Sequence, residues 1–425
     1  LAKLQKFYDL DNAAKIFPAV ANENRPYMFR MSVVFKESID AKVMKEALEK
    51  TTKRFVNFNV RLRKGWFWHF FEENPNLPKL NKETGYINQY LVPAENQDFL
   101  FRAIYDQNRL SVEFFHALTD GTGALEFINS LAFTYLQLKG YDVNDEGKIR
   151  HSNSKPSFAE VDDEFQKIYD NKTYKVPKEQ KAHHIKGTTY ANGYHATIHS
   201  YFDVKEIKAL VKSLDATITE FFTAAITYAY LKSDVLARHK YPFRLLIPVN
   251  VRKFYQSISL RNFVSFIRFN QNLDEKSVTF KDILLRVRLC FKEELSYEKL
   301  YARMMSNVKY EKNFFNRIAP LPLKILVMKS VYGMIGESMN TVTFSNIGVV
   351  DLPESMKPYI SHYQFNIGPS PEQPKVISAI TYNNVLSIAF ISNIIERNIE
   401  KEFFKLMHEF GLTPTIEANE WEVLS

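Results

Sequence analysis

One cysteine, Cys290, stands in 425 residues. That excludes an intramolecular disulfide, a multi-cysteine zinc site and a C-x-x-C redox pair, and it fits a reducing cytoplasm. Its neighbours Leu289, Phe291 and Lys292 mark a helical core position rather than a nucleophile. Glycine is scarce, at 13 residues, against an ordinary share of about 7%. None of them forms G-x-G-x-x-G or G-x-x-x-x-G-K-S/T, so a dinucleotide fingerprint and a phosphate-cradling Walker loop are absent. No apolar run reaches the roughly 18 to 20 residues of a membrane span. The nearest, Ile318 to Gly336, is broken by Pro320, Pro322, Lys324 and Lys329. It is expected to be a packed helix, with contact to lipid or a greasy substrate as the alternative. The first twenty residues lack the apolar core and small-residue cleavage site of a signal peptide. No acidic cluster has the spacing of a calcium loop.

What is present is ordinary globular material, 45% hydrophobic and 24% charged, so a substantial core is expected rather than disorder. Aromatics reach 14%, which suggests aromatic-lined interiors. The net charge of +8 is dispersed, with no basic helix or RNA-recognition motif, so nucleic acid is not an expected partner. An anionic ligand, such as a nucleotide-bearing cosubstrate, and a membrane surface both suit the sign.

The most polar stretch runs from about Gly140 to Gly193 and reads as a linker or surface excursion. On either side the chain begins alike. Met28 to Phe35 alternates as a strand, a charged turn follows, and a helix is predicted over about Ala41–Arg54. Tyr194 to Phe202 repeats the strand, DVKEIK the turn, and a helix is predicted over about Lys205–Leu214. A further helix, Glu220 to Leu231, is expected to be capped by Thr219. The order predicts a duplicated α+β unit: an N-terminal lobe over 1–175, a crossover over 176–193 and a C-terminal lobe over 194–425.

Asn108 to Gly140 carries the chemistry. Arg109 to Phe115 alternates as a strand, Leu118 to Gly123 is a tight turn, and Thr122 to Leu138 has helical periodicity ending at Gly140. His116 therefore sits at a strand end before a glycine turn, spaced His-x-x-x-Asp-Gly with Asp120 and Gly121. FHALTDGTG resembles the signature of the coenzyme-A-dependent acyltransferase superfamily, which includes chloramphenicol acetyltransferase, condensation domains and alcohol acetyltransferases. Phe115 stands where condensation domains often carry a second histidine, so the pattern is more similar to the single-histidine members, the alcohol acetyltransferase group in particular. VTFSNIG, Val342 to Gly348, resembles the Thr-x-Ser-Asn-Leu-Gly segment of dihydrolipoamide acyltransferases, matching Ser345 and Asn346. FVNFNVRLR, Phe55 to Arg63, resembles the arginine-containing strand of related enzymes, with Arg61 as the better match and Arg63 second.

The resemblance implies two chloramphenicol-acetyltransferase-like lobes, each a mixed sheet with helices, and an active site in a tunnel between them. It implies His116 as general base, Ser345 as oxyanion donor, and Asp120 at the site but turned toward an arginine, Arg61. Gly121 and Asn346 are expected to support the site. In LLIPVNVR, Asn250 is expected to meet substrate, and Arg252 either to meet the coenzyme A phosphates or to brace the cleft. The chemistry needs these residue types. A neutral histidine takes the proton of an attacking hydroxyl, and a fixed hydroxyl stabilises the tetrahedral alkoxide. The implied cosubstrate is acyl-coenzyme A, with no permanently bound cofactor and no metal. The implied acceptor is a small alcohol or lipid-like molecule, and peripheral membrane contact is left open. The alternatives are a carrier-protein-dependent condensation-type transferase and a non-catalytic binding protein on the same scaffold.

The remaining histidines read as structural. His195 and His199 alternate along a strand, about 13 Å apart at ~3.3 Å per residue, too far to share an ion. His183 and His184 are expected to be solvent-exposed, His69 to sit in an aromatic strand, and Gln364 to Ser370 to form a loop bordering the site.

Overall fold

The structure, a computed structural model, describes residues 7–175, 180–233, 241–273 and 277–419. Residues 1–6 and the start of the expected crossover, 176–179, lie outside the described residues. The N-terminal half comprises β1 (Phe7–Asp9), α1 (Phe17–Val20), β2 (Met28–Phe35), α2 (Ala41–Arg54), β3 (Val60–Lys64), β4 (His69–Glu73), β5 (Leu80–Lys82), β6 (Phe101–Asp106), β7 (Arg109–Phe115) and α3 (Gly121–Leu138). A short α4 (Glu164–Lys167) follows. Next come β8 (Ala196–Asp203), α5 (Val204–Ser213), α6 (Ile218–Lys232), β9 (Phe243–Asn250), α7 (Arg252–Tyr255) and β10 (Val264–Gln271). Helices α8 (Phe280–Glu294), α9 (Tyr297–Lys312), α10 (Phe314–Ile318) and α11 (Leu321–Ile335) precede β11 (Val342–Val350) and β12 (Ile360–Ile367). The chain closes with β13 (Lys375–Tyr382), β14 (Val385–Ser392), α12 (Asn398–Glu409) and β15 (Thr415–Ala418).

The repeated strand, turn and helix are built from the same local device. Asp40 accepts the main-chain N–H groups of Lys42 and Val43 at the start of α2. Asp203 does the same for Lys205 and Glu206 at the start of α5. Each carboxylate satisfies donors that a helix start leaves unpaired. The cap of α6 is Thr217, not Thr219, because Thr217 and Glu220 form a reciprocal capping box. Thr219 lies inside the first turn, where its hydroxyl accepts from Asn346 Nδ2 at 3.1 Å.

Two larger sheets organise the molecule, in the orders β12-β2-β7-β6-β5 and β10-β9-β11-β13-β14-β8-β15. A small third sheet is β1-β4-β3. In β2, Phe29, Met31, Val33 and Phe35 point into the first core, with Phe127, Ile128 and Leu131 of α3. Arg30 and Ser32 alternate to the other face. Both faces are covered, so all eight residues of β2 are buried.

The chain's halves do not coincide with the packing units. Strand β12, far into the C-terminal half, pairs antiparallel with β2, Phe365 opposite Met31. Leu352, Met356, Tyr363 and Phe365 belong to the first core. The polar excursion is a strap that contacts both cores. Val143 and Ile149 enter the first core, while Phe165 and Ile185 enter the second. Buried Arg54 holds Glu160 through two bonds of 2.8 and 2.9 Å, and the Glu160 carbonyl accepts from Leu260 N at 2.8 Å. The expected packed helix exists as α11, but it packs on one side only: Leu323, Leu326 and Val327 are exposed.

Candidate active site

His116 follows directly on β7, and its main-chain N–H donates to the Tyr27 carbonyl at 2.8 Å. The imidazole stacks on Phe17, centroids 4.7 Å apart, and meets Phe29 edge-on at 5.2 Å. The residue is half-buried, not sealed in packing. Its Nδ1 lies 3.1 Å from Asn262 Oδ1. Asn262 Nδ2 in turn donates to Asp11 Oδ2 and to the His116 carbonyl, both at 3.1 Å. Two acceptors on that side assign the amide nitrogen there and leave Oδ1 facing the ring. The proton of the neutral imidazole therefore sits on Nδ1, and Nε2 carries the lone pair.

Burial pushes the His116 pKa below the ordinary histidine value, against smaller raising effects from its own carbonyl, the Asp120 charge and Asn262. The ring is accordingly neutral at pH 7. Burial also pushes Asp11 up to about 6, opposed by Arg261 and by its hydrogen bonds from Asn262 and Ala14. It remains an ionised acceptor at pH 7.

Asp120 does not touch the imidazole. Its carboxylate caps α3 through Thr122 N and Gly123 N, accepts Phe263 N at 2.8 Å, and takes both ends of the Arg252 guanidinium at 2.8 and 3.0 Å. The expected Asp120–Arg61 pair is therefore corrected to Asp120–Arg252. Arg61 faces Glu72 directly across the β3–β4 ladder and bonds it at 2.6 Å. Arg63 shares that carboxylate. A cross-strand neighbour satisfies Arg61 before the histidine turn comes within reach.

Of the two expectations for Arg252, substrate contact and bracing of the cleft, the geometry supports bracing. The guanidinium is buried, and its donors also reach the Ser259, Arg261 and Phe263 carbonyls. Arg252 thus clamps the 259–263 loop, which bears Asn262, onto the turn that bears His116. Gly123 completes the clamp, since a Cβ there would overlap the Leu260 carbonyl oxygen. Thr119 Oγ1 donates to that carbonyl at 2.7 Å. Asn250 is exposed. Its Nδ2 reaches Thr122 Oγ1 at 3.0 Å, and its Oδ1 accepts Arg252 N at 3.0 Å.

Ser345 lies in β11 opposite Ser378 of β13. It is half-buried, and its hydroxyl has no hydrogen-bond partner among the described residues. Just beyond it the β11–β13 register shifts between Asn346 and Val349. Gly348 takes φ +88°, a left-handed conformation that suits glycine. Asn346 Oδ1 accepts Gly348 N at 2.9 Å, so Asn346 ties this bulge to α6 through Thr219. Ile347 then packs so closely on Gly121 that a Cβ there would overlap its Cδ1. Strand β11 thereby reaches the His116–Gly121 turn.

Asn262, Asp11 and Phe17 were not foreseeable from sequence. No motif marks them, and the Asn262–His116 contact spans 146 residues. The other flagged residues fall elsewhere. His195 Nδ1 donates to the Ile87 carbonyl at 3.1 Å, and buried His199 lies on β8. His184 is half-buried rather than exposed, its ring nitrogens at the Glu372 and Ser338 carbonyls. His183 is half-buried as well, and His69 is buried on β4. Gln364 to Ile367 belongs to strand β12, not a loop. Cys290 is half-buried on α8, its thiol pushed up to about 11 by burial. Among the described residues no three His, Cys, Asp or Glu side chains gather to hold a metal. A cavity of about 600 Å³, lined by Arg30, Arg109, His199 and Gln364 among others, lies on the face of β2 opposite Phe29 and His116.

No protein-family profile and no curated protein sequence matches the chain. Solved structures do, over their full length. The trichothecene 15-O-acetyltransferase of Fusarium sporotrichioides aligns with TM-score 0.59 and 10% identity, covering 95% of this chain and 94% of that one. TRI101 of the same fungus, complexed with coenzyme A and T-2, gives 0.61 and 12%, covering 96% and 100%. The wax ester synthase/diacylglycerol acyltransferase of Marinobacter aquaeolei gives 0.55 and 15%, covering 95% and 100%. The chain has the two-lobed fold of coenzyme-A-dependent acyltransferases. The expected α+β architecture of mixed sheets with helices agrees with these neighbours, and the sequence resemblance points to the same fold.

Proposed function

We propose that this protein transfers a short acyl group, acetyl in the first instance, from acyl-coenzyme A to the hydroxyl of a hydrophobic alcohol. The observation that carries the reading is the neutral imidazole of His116, its Nδ1 engaged by Asn262 and its Nε2 without a hydrogen-bond partner among the described residues. In this reading Nε2 removes the hydroxyl proton as the oxygen attacks the thioester carbon. A C–O bond forms, and the carbonyl π electrons move to oxygen. The Ser345 hydroxyl donates to that oxyanion. Collapse re-forms the carbonyl, breaks the C–S bond, and sends the proton from imidazolium to the departing sulfur. Atoms balance without a covalent acyl-enzyme. General-base assistance contributes roughly 10²- to 10⁴-fold.

Aromatic walls around His116, Phe17 and Phe29, favour an apolar acceptor. The single cysteine supports a reducing, cytoplasmic setting. The test is release of free coenzyme A thiol from acetyl-coenzyme A in the presence of a series of alcohols. His116→Ala is expected to abolish it; equal rates for variant and wild type would remove His116 from the chemistry. Acylated carrier protein as donor, run beside acyl-coenzyme A, separates the condensation-type alternative.

A further inference from the structure

The β3–β4 hairpin tip and the outer face of α11 form one surface that water solvates poorly. Trp66 is 89% exposed and Phe67 49%. On α11, Leu323, Leu326 and Val327 are exposed at 53, 63 and 42%, spaced i, i+3, i+4 on one helix face. Ile318, at the end of α10, adds to them at 51%. Part of helix α11 is inverted: Lys324 is inside and the apolar stripe outside. Lys324 is 6% exposed, and its ammonium donates to the Phe67 carbonyl at 2.9 Å and sits 3.9 Å from the Trp68 ring centroid. Leu321 N donates to the Trp66 carbonyl at 2.9 Å. The hairpin tip is thus pinned to the helix, so tryptophan and stripe form a single rigid patch.

The segments that build the patch are basic in balance. From Lys312 to Gly336 the chain carries Lys312, Arg317, Lys324 and Lys329 and no acidic residue. From Val60 to Phe71 it carries Lys64 together with Arg61 and Arg63, and Glu72 offsets the two arginines. Lys64, Arg317 and Lys329 are exposed. Exposed tryptophan and leucine rimmed by lysine and arginine match an interface whose headgroups are anionic and whose interior is hydrocarbon. A second copy of this chain fits less well, because a two-fold pairing of these faces would set the three cations against their own counterparts.

We infer that Trp66, Phe67 and the Leu323–Leu326–Val327 face of α11 dock this protein on the surface of an anionic bilayer. Docking stands apart from the acyl-transfer reading; only its use rests on that reading. Behind the docked face, Tyr332 of α11 meets Tyr27 at 6.0 Å, Tyr27 meets Phe17 at 5.3 Å, and Phe17 stacks on His116. An apolar acceptor leaving the bilayer would enter beside this line of rings.

The experiment is co-sedimentation with vesicles of phosphatidylcholine alone and of phosphatidylcholine with phosphatidylglycerol, at low and high salt. Wild type is expected to bind the anionic vesicles on the order of tenfold or more above the neutral ones, with binding weakened by salt. Trp66→Ser with Leu326→Ser is expected to reduce binding about tenfold or more. Lys64→Glu with Lys329→Glu is expected to erase the preference for anionic lipid. All four positions are exposed, so far-ultraviolet circular dichroism and turnover of a water-soluble alcohol should remain those of wild type. Wild type that stays in solution with both vesicle types overturns the inference, as does undiminished binding by the serine variant. A dimer that dissociates in the serine variant during sedimentation, without vesicle binding, overturns it in favour of self-association. Vesicle binding is scored without turnover, so an inactive protein that binds still supports docking.

Discussion

Exchange of Asp120 for asparagine separates a structural brace from a catalytic partner. The Asp120 carboxylate receives five N–H donors, from Thr122, Gly123, Phe263 and the two Nη atoms of Arg252. The pair is buried, Asp120 at 2% and Arg252 at 6% exposure. Asparagine keeps the shape but turns an amide N–H₂ toward one of those donors and leaves the guanidinium without a counter-charge. Removing one partner of a buried pair costs about 3–5 kcal/mol. Arg252→Met strands the carboxylate, though its three main-chain N–H donors remain. With both changes made, no buried charge is left alone. The double variant is then expected to be no less stable than the worse single one, a coupling of about 2–3 kcal/mol. Urea unfolding of the four proteins reads this directly. Loosening the clamp also frees the loop carrying Asn262, so kcat should fall in both single variants. Were Asp120 instead the orienting member of a triad, Asp120→Asn would lose activity at near-native stability, and Arg252→Met would act independently. Additive effects, or singles within about 0.5 kcal/mol of wild type, would refute the brace.

Ser345→Ala should lower kcat by roughly 10²- to 10³-fold, the cost of one oxyanion donor, with an unchanged urea midpoint; an unchanged kcat would dismiss the hydroxyl. Because burial depresses the His116 pKa, the acid limb of kcat/KM is expected below about pH 6.5. Asn262→Leu, which removes a hydrogen bond that raises that pKa, should move the limb further down while reducing kcat, as a pH profile would record. Gly123→Ala should destabilise more than Gly121→Ala, because its Cβ meets the fixed Leu260 carbonyl whereas that of Gly121 meets the flexible end of Ile347; thermal melts rank the two. Burial, with Asp11 beside it, pushes Asp163 from 3.8 up to about 7. A raised carboxyl stabilises the fold below its unfolded value and loses that contribution as pH climbs through the folded one, so Asp163→Asn should flatten the fall in urea midpoint between about pH 4 and 7.

The elements that local chemistry dictates were legible at close range. Strand β2 and helix α2 span the residues that alternation and periodicity predict, because Val33, Val34 and Phe35 favour a pleat and Asp40 marks a helix start. Prediction failed where two candidates lay close and only geometry could choose. Thr219 yielded to Thr217 because the capping box needs Glu220 three positions on. Arg61 yielded to Arg252 because β3 places Arg61 opposite Glu72, a pairing that register decides. Strand β12 reads as a turn-rich loop beside Gly368 and Pro369, yet its residues through Ile367 complete the first sheet against β2. Asn262 had no signal at all. An asparagine acquires meaning only from what faces it, and here Asp11 and His116 arrive from the other half of the chain.

That asparagine bears on how the proposed transfer would run. Asp120 is fully engaged by its five donors, so the ring must be oriented by something else. A carboxylate at Nδ1 would raise the imidazole pKa and hold the proton once taken. The neutral Asn262 amide fixes the tautomer while adding far less charge stabilisation, and burial then dominates, keeping the imidazole pKa low. A low pKa makes a weaker base but a stronger conjugate acid. For a thioester, already activated at carbon, the second property matters more. The leaving sulfur belongs to a thiol whose ordinary pKa lies near 8.5, so an imidazolium with a depressed pKa surrenders its proton to that sulfur downhill. Orientation by an amide rather than a carboxylate is thus suited to a donor whose departure must be assisted and whose attack is comparatively easy.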